Sequence, residues 1–397
     1  MTDVLVLGAA GGIGAMAART LVIAGSFERL IASDLNAAAL QCEVDTWPTS
    51  GTRVHSQALD VSDEEALAAA LAEVDLVVNC VGPFYRFGPP TLRAAIQAGV
   101  PYVDVCDDLD PTREMLTFFD DAHAAGVPAL IGMGNSPGLA NVLVRYCADH
   151  LLETVTAVDI MHIHGGEPSE GAAVLKHRIH AMVSDVPVWQ DAAMRSVRML
   201  EDSGAAYVTD VDFRDVGTYP VYPYPHPETI TLPVHLPGVR RVTNRGVVFP
   251  LSYFDMTAEL VRAGTPVDDA VAQLIAHRPS LLAESCVTGP AGCLRVDIAG
   301  TIGGEEHRIV FSLSSQGSGA AEGTGIPAAL GALLMARGAI TTPGVHPPEA
   351  VVDPVAMLTL ANELLPALGV AGTSGSLPIH ISRTGPDGAE TELDLFG

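Results

Sequence analysis

Residues 4–25 read VLVLGAAGGIGAMAARTLVIAG. An apolar strand, Val4–Leu7, breaks into glycines at Gly8, Gly11, Gly12 and Gly14 and continues as an alanine-rich helix. A second apolar stretch, Leu30–Ser33, ends at Asp34. Strand, glycine turn, helix and acid in this order commit the chain to open on a βαβ unit. Glycines keep side chains out of the path of a pyrophosphate, and the helix start offers free N–H groups and the positive end of its dipole. A carboxylate at the tip of the second strand accepts the ribose hydroxyls of an adenosine and repels a 2′-phosphate. The candidate dinucleotide contacts are therefore Gly8, Ala10, Gly11, Gly12, Ile13 and Gly14 in the turn, with Asp34 and Leu35 beyond it. The glycine spacing is G-x-x-G-x-x-G, a variant of the usual G-x-G-x-x-G. No arginine follows Asp34, so NAD is favoured, with NADP as the alternative.

The first 133 residues alternate apolar strands with helices. Strands are expected at Thr52–Leu59, Val74–Cys80, Tyr102–Cys106 and Val127–Met133, and helices near Asn36–Thr46 and from Ser62, Pro89 and Pro111. Short connections between such units specify a Rossmann-type doubly wound parallel sheet, an α/β fold. Ligands of these sheets lie at the carboxyl ends of the strands. Asp60 and Val61 are thus expected beside the adenine, Cys80, Val81, Gly82 and Pro83 beneath the nicotinamide, and Cys106, Asp107 and Asp108 before the substrate. After Gly134 the texture changes. A helix is expected to open at Ser136-Pro137-Gly138, followed by a strand over Val155–His164. Leu294–Ala299 and His307–Leu313 form a hairpin through Gly303-Gly304. Between Gly217 and Pro250 proline and glycine are dense, and long ordered loops are expected. Strands beside helices make this an α+β substrate domain that also supplies a dimer surface.

With 48% apolar and 17% charged residues, the 397-residue chain is globular and long enough for two domains. Its six cysteines (Cys42, Cys80, Cys106, Cys147, Cys286, Cys293) form no C-x-x-C pair, which fits reduced thiols in a cytoplasmic enzyme. No apolar run reaches the length of a membrane span, and no basic leader precedes the first strand. A formal net charge of −26 argues against nucleic acid or an anionic membrane as partner. The acidity reads first as solubility, and second as attraction for a cationic amine.

Three further runs resemble the saccharopine dehydrogenase-like family: Val78–Phe84 (VNCVGPF), Ala98–Asp104 (AGVPYVD) and Gly134–Asn141 (GNSPGLAN). Gly325–Glu349 (GIPAALGALLMARGAITTPGVHPPE) is similar to the lysine 6-dehydrogenase branch. The resemblance implies pyridine-nucleotide chemistry at a C–N bond: oxidation of an amine or amino acid to an imine, or reduction of the imine. It also implies a Rossmann domain completed by C-terminal helices around an inserted domain that forms a homodimer. The expected division is 1–134 for the dinucleotide, 135–342 for substrate and dimerisation, and 343–397 for returning helices. Saccharopine reductases carry a substrate-contacting Asp where Ser136 stands, a Ser-Tyr pair at Cys106-Asp107, and a substrate-binding Arg where this chain places His226. A pocket that has lost a cation is unsuited to saccharopine itself. A C=C or C=O reductase and a non-catalytic dinucleotide sensor remain as rival readings.

Three residues compete as the proton-transfer group. His226 sits in the aromatic, proline-rich loop YPVYPYPHPET, where a pKa near neutrality suits an acid or base. Lys176, the one lysine among 21 basic residues, acts as a proton carrier if burial lowers its pKa. Asp107, like Asp108, lies where an acid meets a substrate ammonium. Substrate contacts are expected from Cys106, Asp108 and Ser136, and from Arg241 and Arg245, which with Arg240 flank an expected turn at Thr243-Asn244 and suit a carboxylate clamp. The pairs His162/His164 and His177/His180 lack the carboxylate or cysteine pattern of zinc sites, so no metal is expected.

Overall fold

The computed structural model describes residues 2–167, 170–285, 289, 291–316, 320–369 and 378–395. The chain forms two units: Met1–Val142 with Ala321–Leu377, and Leu143–Ala320 with Pro378–Gly397.

In the first unit β1 (Asp3–Leu7), β2 (Arg29–Asp34), β3 (Arg53–Ala58), β4 (Leu76–Asn79), β5 (Tyr102–Asp104) and β6 (Pro128–Leu130) pair in parallel. A seventh strand, β15 (Gly344–His346), adds beside β6. The order is β15-β6-β5-β4-β1-β2-β3. The strand order reverses between β1 and β4, which makes their carboxyl ends the crevice where open α/β sheets take their ligands. Val4–Leu7 and Leu76–Val78 are fully buried, as strands covered on both faces must be.

Three local expectations are corrected. The helix expected from Pro89 is Phe84–Ala98, because Pro83, in extended conformation, stands at its N-cap and leaves the two later prolines inside. The helix expected at Ser136-Pro137-Gly138 starts at Leu139, because Gly138 has φ 122° and bridges back to Gly134. The segment before Glu349 contributes β15. The first unit also takes the helix Ala320–Ala336 from Ala321 onward. Its glycines let it lie close: a Cβ on Gly331 would come within 2.9 Å of Met133, and one on Gly325 within 2.6 Å of the Ile13 carbonyl. The helix Pro354–Leu364 belongs to the same unit, while the last described strands belong to the other.

The second unit is a mixed sheet. Its strands are β7 (Thr154–Gly165), β8 (Asp185–Gln190), β9 (Ala193–Arg198), β10 (Thr209–Phe213), β11 (Gly217–Pro223), β12 (Arg241–Phe249), β13 (Ala291–Ile302), β14 (Glu305–Gln316), β16 (Ile379–Thr384) and β17 (Glu390–Leu393). The main path is β10-β11-β12-β7-β13-β14-β16-β17, with β8 joining β12 and β9. The loops expected over 217–250 are instead β11, the helix Glu228–His235 and β12. β11 accommodates its prolines by changing partner, pairing β10 first and β12 through its last two residues. Thr243 and Asn244 lie in mid-strand, so there is no turn between the arginines.

Alternation gives β7 and β12 two different faces. On one, Met161, Ile163, Val247 and Phe249 pack with Leu175, Ile179, Tyr253 and Leu274 from three helices. His162, Asn244 and Gly246 point to the other.

Candidate functional site

At the glycine turn, a Cβ on Gly8 would lie 3.0 Å from the Cys80 backbone, and one on Gly14 only 2.2 Å from the Gly8 carbonyl oxygen. Those two glycines are demanded by the fold, since the turn abuts the end of β4 and the helix abuts the turn. Gly11 and Gly12 are exposed, and the nearest atoms to an added Cβ lie at 3.4 Å. Their lack of side chains keeps a path to the backbone clear. Gly11 caps the helix Gly12–Ala24 with no side-chain hydrogen bond, so the positive end of this helix is left for a ligand. Asp34 holds the turn: its carboxylate accepts from Ala10 N at 3.1 Å and Asn36 N at 2.9 Å. Two carboxylate oxygens offer about four acceptor positions, so capacity for ribose hydroxyls remains. Leu35 beside it is 73% exposed. These features fit a dinucleotide. Asp60 is exposed and bound to Ser62 N and Oγ, which hold its carboxyl below the usual value. Val81 N donates to Asn79 Oδ1 at 3.0 Å, and Gly82 is exposed ahead of Pro83.

Behind Cys80 and Cys106 lies a fully buried chain that sequence reading missed. Asn79 Nδ2 donates to the Tyr102 hydroxyl at 3.0 Å, and that hydroxyl donates to Asp104 Oδ2 at 3.0 Å. Asp104 Oδ1 accepts from Cys106 N and Gly132 N. Burial pushes the Asp104 carboxyl up to about 6 and the Cys80 thiol up to about 12. The Cys106 thiol, also raised by burial, contacts Thr112 and the Asp108 carbonyl. It packs as a small buried side chain. Asp108 is buried at the N-cap of the helix Leu109–Leu116, whereas Asp107 and Ser136 are half-buried. Gly138 N donates to Asn141 Oδ1, and Asn141 Nδ2 to Glu349, which ties the Ser136 loop to the segment after β15.

In the second unit the pairing of β11 with β12 brings Tyr224 and His226 beside Asn244, with Tyr224 N donating to the Asn244 carbonyl at 2.9 Å. The His226 ring stacks on His162 at 5.1 Å and 10°, and Tyr224 stands edge-on to both at 5.0 and 5.4 Å. His177 lies 6.5 Å from His226, and His164 lies 6.4 Å from His162. His180, one turn from His177, is exposed. Asn244 Nδ2 donates to Glu228 Oε1 at 3.2 Å and its Oδ1 faces His162 Nε2 at 3.2 Å. With the amide nitrogen on Glu228, the amide oxygen accepts, and His162 Nε2 is the donor. Glu228 is wholly buried, its second oxygen 4.0 Å from His226 Nδ1. Burial, then the neighbouring imidazoles, hold His226 well below its usual range; burial takes His162 down to about 3. The near-neutral pKa expected for His226 is thus corrected: the ring is neutral at physiological pH. His162, Tyr224, Glu228 and Asn244 were not assigned roles from sequence. For His162 and Asn244 the signal is alternation in β7 and β12, which does not say which strands meet; Tyr224 and Glu228 lie after β11, in the loop and at the start of the helix Glu228–His235.

Lys176 is only partly buried: its ammonium meets Asp268 at 2.8 Å, with the side chain 40% exposed. Arg241 and Arg245 do not join His226. Both bind Asp159, at 2.6 and 2.9 Å, on the face of the sheet opposite Asn244 and His162. Cys286 lies outside the described residues. The other five cysteines are free.

Residues 4–130 match the family described as saccharopine dehydrogenase NADP binding domain. The chain is 25% identical to carboxyaminopropylagmatine dehydrogenase of Synechocystis sp., over 92% of this chain and 96% of that one. It is 24% identical to carboxynorspermidine synthase of Vibrio alginolyticus, over 81% and 83%. In fold it is similar to apo saccharopine dehydrogenase (L-Glu forming) from Saccharomyces cerevisiae, with a TM-score of 0.64, 16% identity and coverage of 93% and 98%. No helix among the described residues is long and apolar enough to cross a membrane. The family match thus covers residues 4–130, within the first unit, and the chain as a whole is similar to these two relatives in sequence and to saccharopine dehydrogenase in fold.

Proposed function

We propose that the protein is an NAD(P)-dependent oxidoreductase acting at a C–N bond, and that its substrate combines a carboxylate with an amine. The observation that carries this reading is the uncapped, glycine-lined helix start with Asp34 fixed beside it, in a chain with relatives whose names include a carboxylated amine. Gly8, Ala10, Gly11, Gly12, Ile13 and Gly14 hold the pyrophosphate, Asp34 the ribose hydroxyls and Leu35 one side of the adenine. Asp60, Val61 and the Cys80–Pro83 loop complete the dinucleotide site. When bound, the nicotinamide takes or gives the hydride at the carbon next to nitrogen. His226 handles the proton. As a neutral imidazole it is ready to accept a proton from the substrate nitrogen, and in the reductive direction it returns one. His162 and Tyr224 hold its ring in place. A homodimer formed through the second unit belongs to the same proposal and is read by light scattering.

The test is absorbance of NADH on incubation with NAD and a panel of amino acids and N-carboxyalkyl amines, with the reverse reaction from paired amines and oxo acids. His226→Ala should lower turnover about 10²–10⁴-fold and leave dinucleotide affinity unchanged. Lys176→Met and Asp107→Asn are the rival variants. Turnover that survives in His226→Ala and dies in either rival moves the proton-transfer role there. Tight NADH binding with no turnover of any amine or imine favours the sensor reading. Asp34→Ala should weaken NADH about tenfold, the worth of about 1.5–3 kcal/mol in charged hydrogen bonds, with little change for NADPH. A wild-type protein that prefers NADPH overturns the NAD assignment.

A further inference from the structure

The second unit holds a cleft of about 450 Å³, within the range of small-molecule sites, on the face of its sheet opposite the imidazoles. Its floor is ordered by strand register. Arg241, Ala157, Ala299 and Arg308 form one row across β12, β7, β13 and β14. Thr243, Asp159, Asp297 and Val310 form the next, and Arg245, Met161, Arg295 and Ser312 the third. Four arginines thus flank two carboxylates, Arg241 and Arg245 from β12, Arg295 from β13 and Arg308 from β14.

The carboxylates are spent. Asp159 accepts from Thr243 at 2.6 Å, Arg241 at 2.6 Å and Arg245 at 2.9 Å. Asp297 accepts from Arg295 Nε at 2.9 Å, from a second nitrogen of the same guanidinium, and from Arg308. The arginines have donors in surplus, since each guanidinium carries five N–H groups. Nε of Arg245 is buried with no hydrogen-bond partner among the described residues. The side chains of Arg241 and Arg308 are 44% and 51% exposed, open to an incoming ligand. Four of the 21 basic residues of a chain with net charge −26 converge here; against Asp159 and Asp297 alone they leave two positive charges over the floor, and Asp210 and Asp212 bring the whole lining to charge balance. Asp210 and Asp212 line the rim, exposed, where like charge turns away extended polyanions.

We propose that this cleft binds a compact organic or inorganic oxyanion carrying at least two negative charges, gripped by the forked donors of Arg241, Arg245 and Arg308. The proposal does not rest on the redox reading, because no residue of the cleft lies on the His226 face.

Isothermal titration of the full chain, pre-saturated with NADH, tests it with inorganic phosphate in one arm and succinate in the other, against sodium chloride at matched ionic strength. Saturable binding of either probe, weakened about tenfold or more in Arg308→Gln, is the expected result, equal to the loss of one charge-assisted contact. The arm that binds identifies a phosphoryl or a dicarboxylate ligand. Arg308 is half exposed and its replacement leaves the sheet hydrogen bonds intact, so circular dichroism of the variant should match the wild type. No saturable binding of either probe overturns the proposal. So does equal affinity in Arg308→Gln, which places the anion elsewhere. A change in molecular mass of that variant without a change in anion affinity gives the cleft to a second copy of the chain, and likewise overturns it.

Discussion

A methyl group at position 246 would land 2.1 Å from Cε1 and 2.5 Å from Nε2 of His162. The imidazole lies flat against the bare β12 backbone, and only glycine leaves it that space. Gly246→Ala should therefore push His162 off Asn244 and out of its stack on His226. Overpacking of this kind costs about 1–3 kcal/mol, and the change should also lower turnover more than NADH affinity. A variant with wild-type melting temperature and turnover would show the ring free to move. At this scale the sequence is readable where the chemistry is local. Asp34 follows its turn by one helix, and the order of types alone marks it. His226 was legible as a residue, but its setting was not. Its neutrality comes from burial first and from His162 second, and the Asn244–His162 bond spans 82 positions. For Arg241 and Arg245 the converse holds: the residue types suit an anion, but alternation in β12 puts them on the face of the sheet opposite His162 and Asn244.

Elements follow the same logic. Continuous apolar runs gave β1, β2 and β4 away, and the Gly303-Gly304 pair marked the hairpin, whose strands run longer than the alternation suggested. β15 stayed hidden because three residues among prolines carry no pattern; pairing with β6 alone makes them a strand. The helix Ala320–Ala336 makes a measurable case. Gly325 lies where a Cβ meets Ile13 O at 2.6 Å and Met16 Cβ at 2.8 Å, whereas Gly323 has its nearest such neighbour at 3.9 Å. Gly325→Ala should displace the helix that follows the glycine turn, lowering stability by about 1–3 kcal/mol and weakening NADH. Gly323→Ala should stabilise by about 0.5–1 kcal/mol, because alanine favours the helical backbone and finds room. Opposite shifts in melting temperature are the expected result; parallel ones would remove this helix from the support of the turn.

For the whole molecule, the two units carry opposite proton linkages. His162, His164 and His226 are all held below their usual 6.5 by burial. The unfolded chain then binds more protons, so the stability of the second unit is complete above about pH 6.5 and falls as pH drops below it. Asp104 works the other way, at about 6 against a usual 3.8. Its folded form keeps the proton, and its penalty on the first unit fades as pH falls from 6 towards 4. Asp60 and Asp75, both lowered by hydrogen bonds, add their loss only below 3.8. Calorimetry of the full chain between pH 7.5 and 4.5 should show one transition dropping steeply while the other holds. Asp104→Asn should remove the difference in slope that Asp104 supplies. Two transitions that fall together would contradict the assignment.

The unit that takes the dinucleotide is not contiguous: residues 1–142 are separated from 321–377 by the whole inserted span. A ribosome adds about 5–20 residues each second, so the N-terminal half of this unit waits tens of seconds for its central helix and its edge strand. During that wait β6 has an open edge, and the small-residue surface of the helix Gly12–Ala24 has nothing to lie against it. The enzyme thus matures late. The glycine turn of a nascent chain thus precedes the helix that packs on it, and β6 and the helix Gly12–Ala24 are where a chaperone would first find the chain.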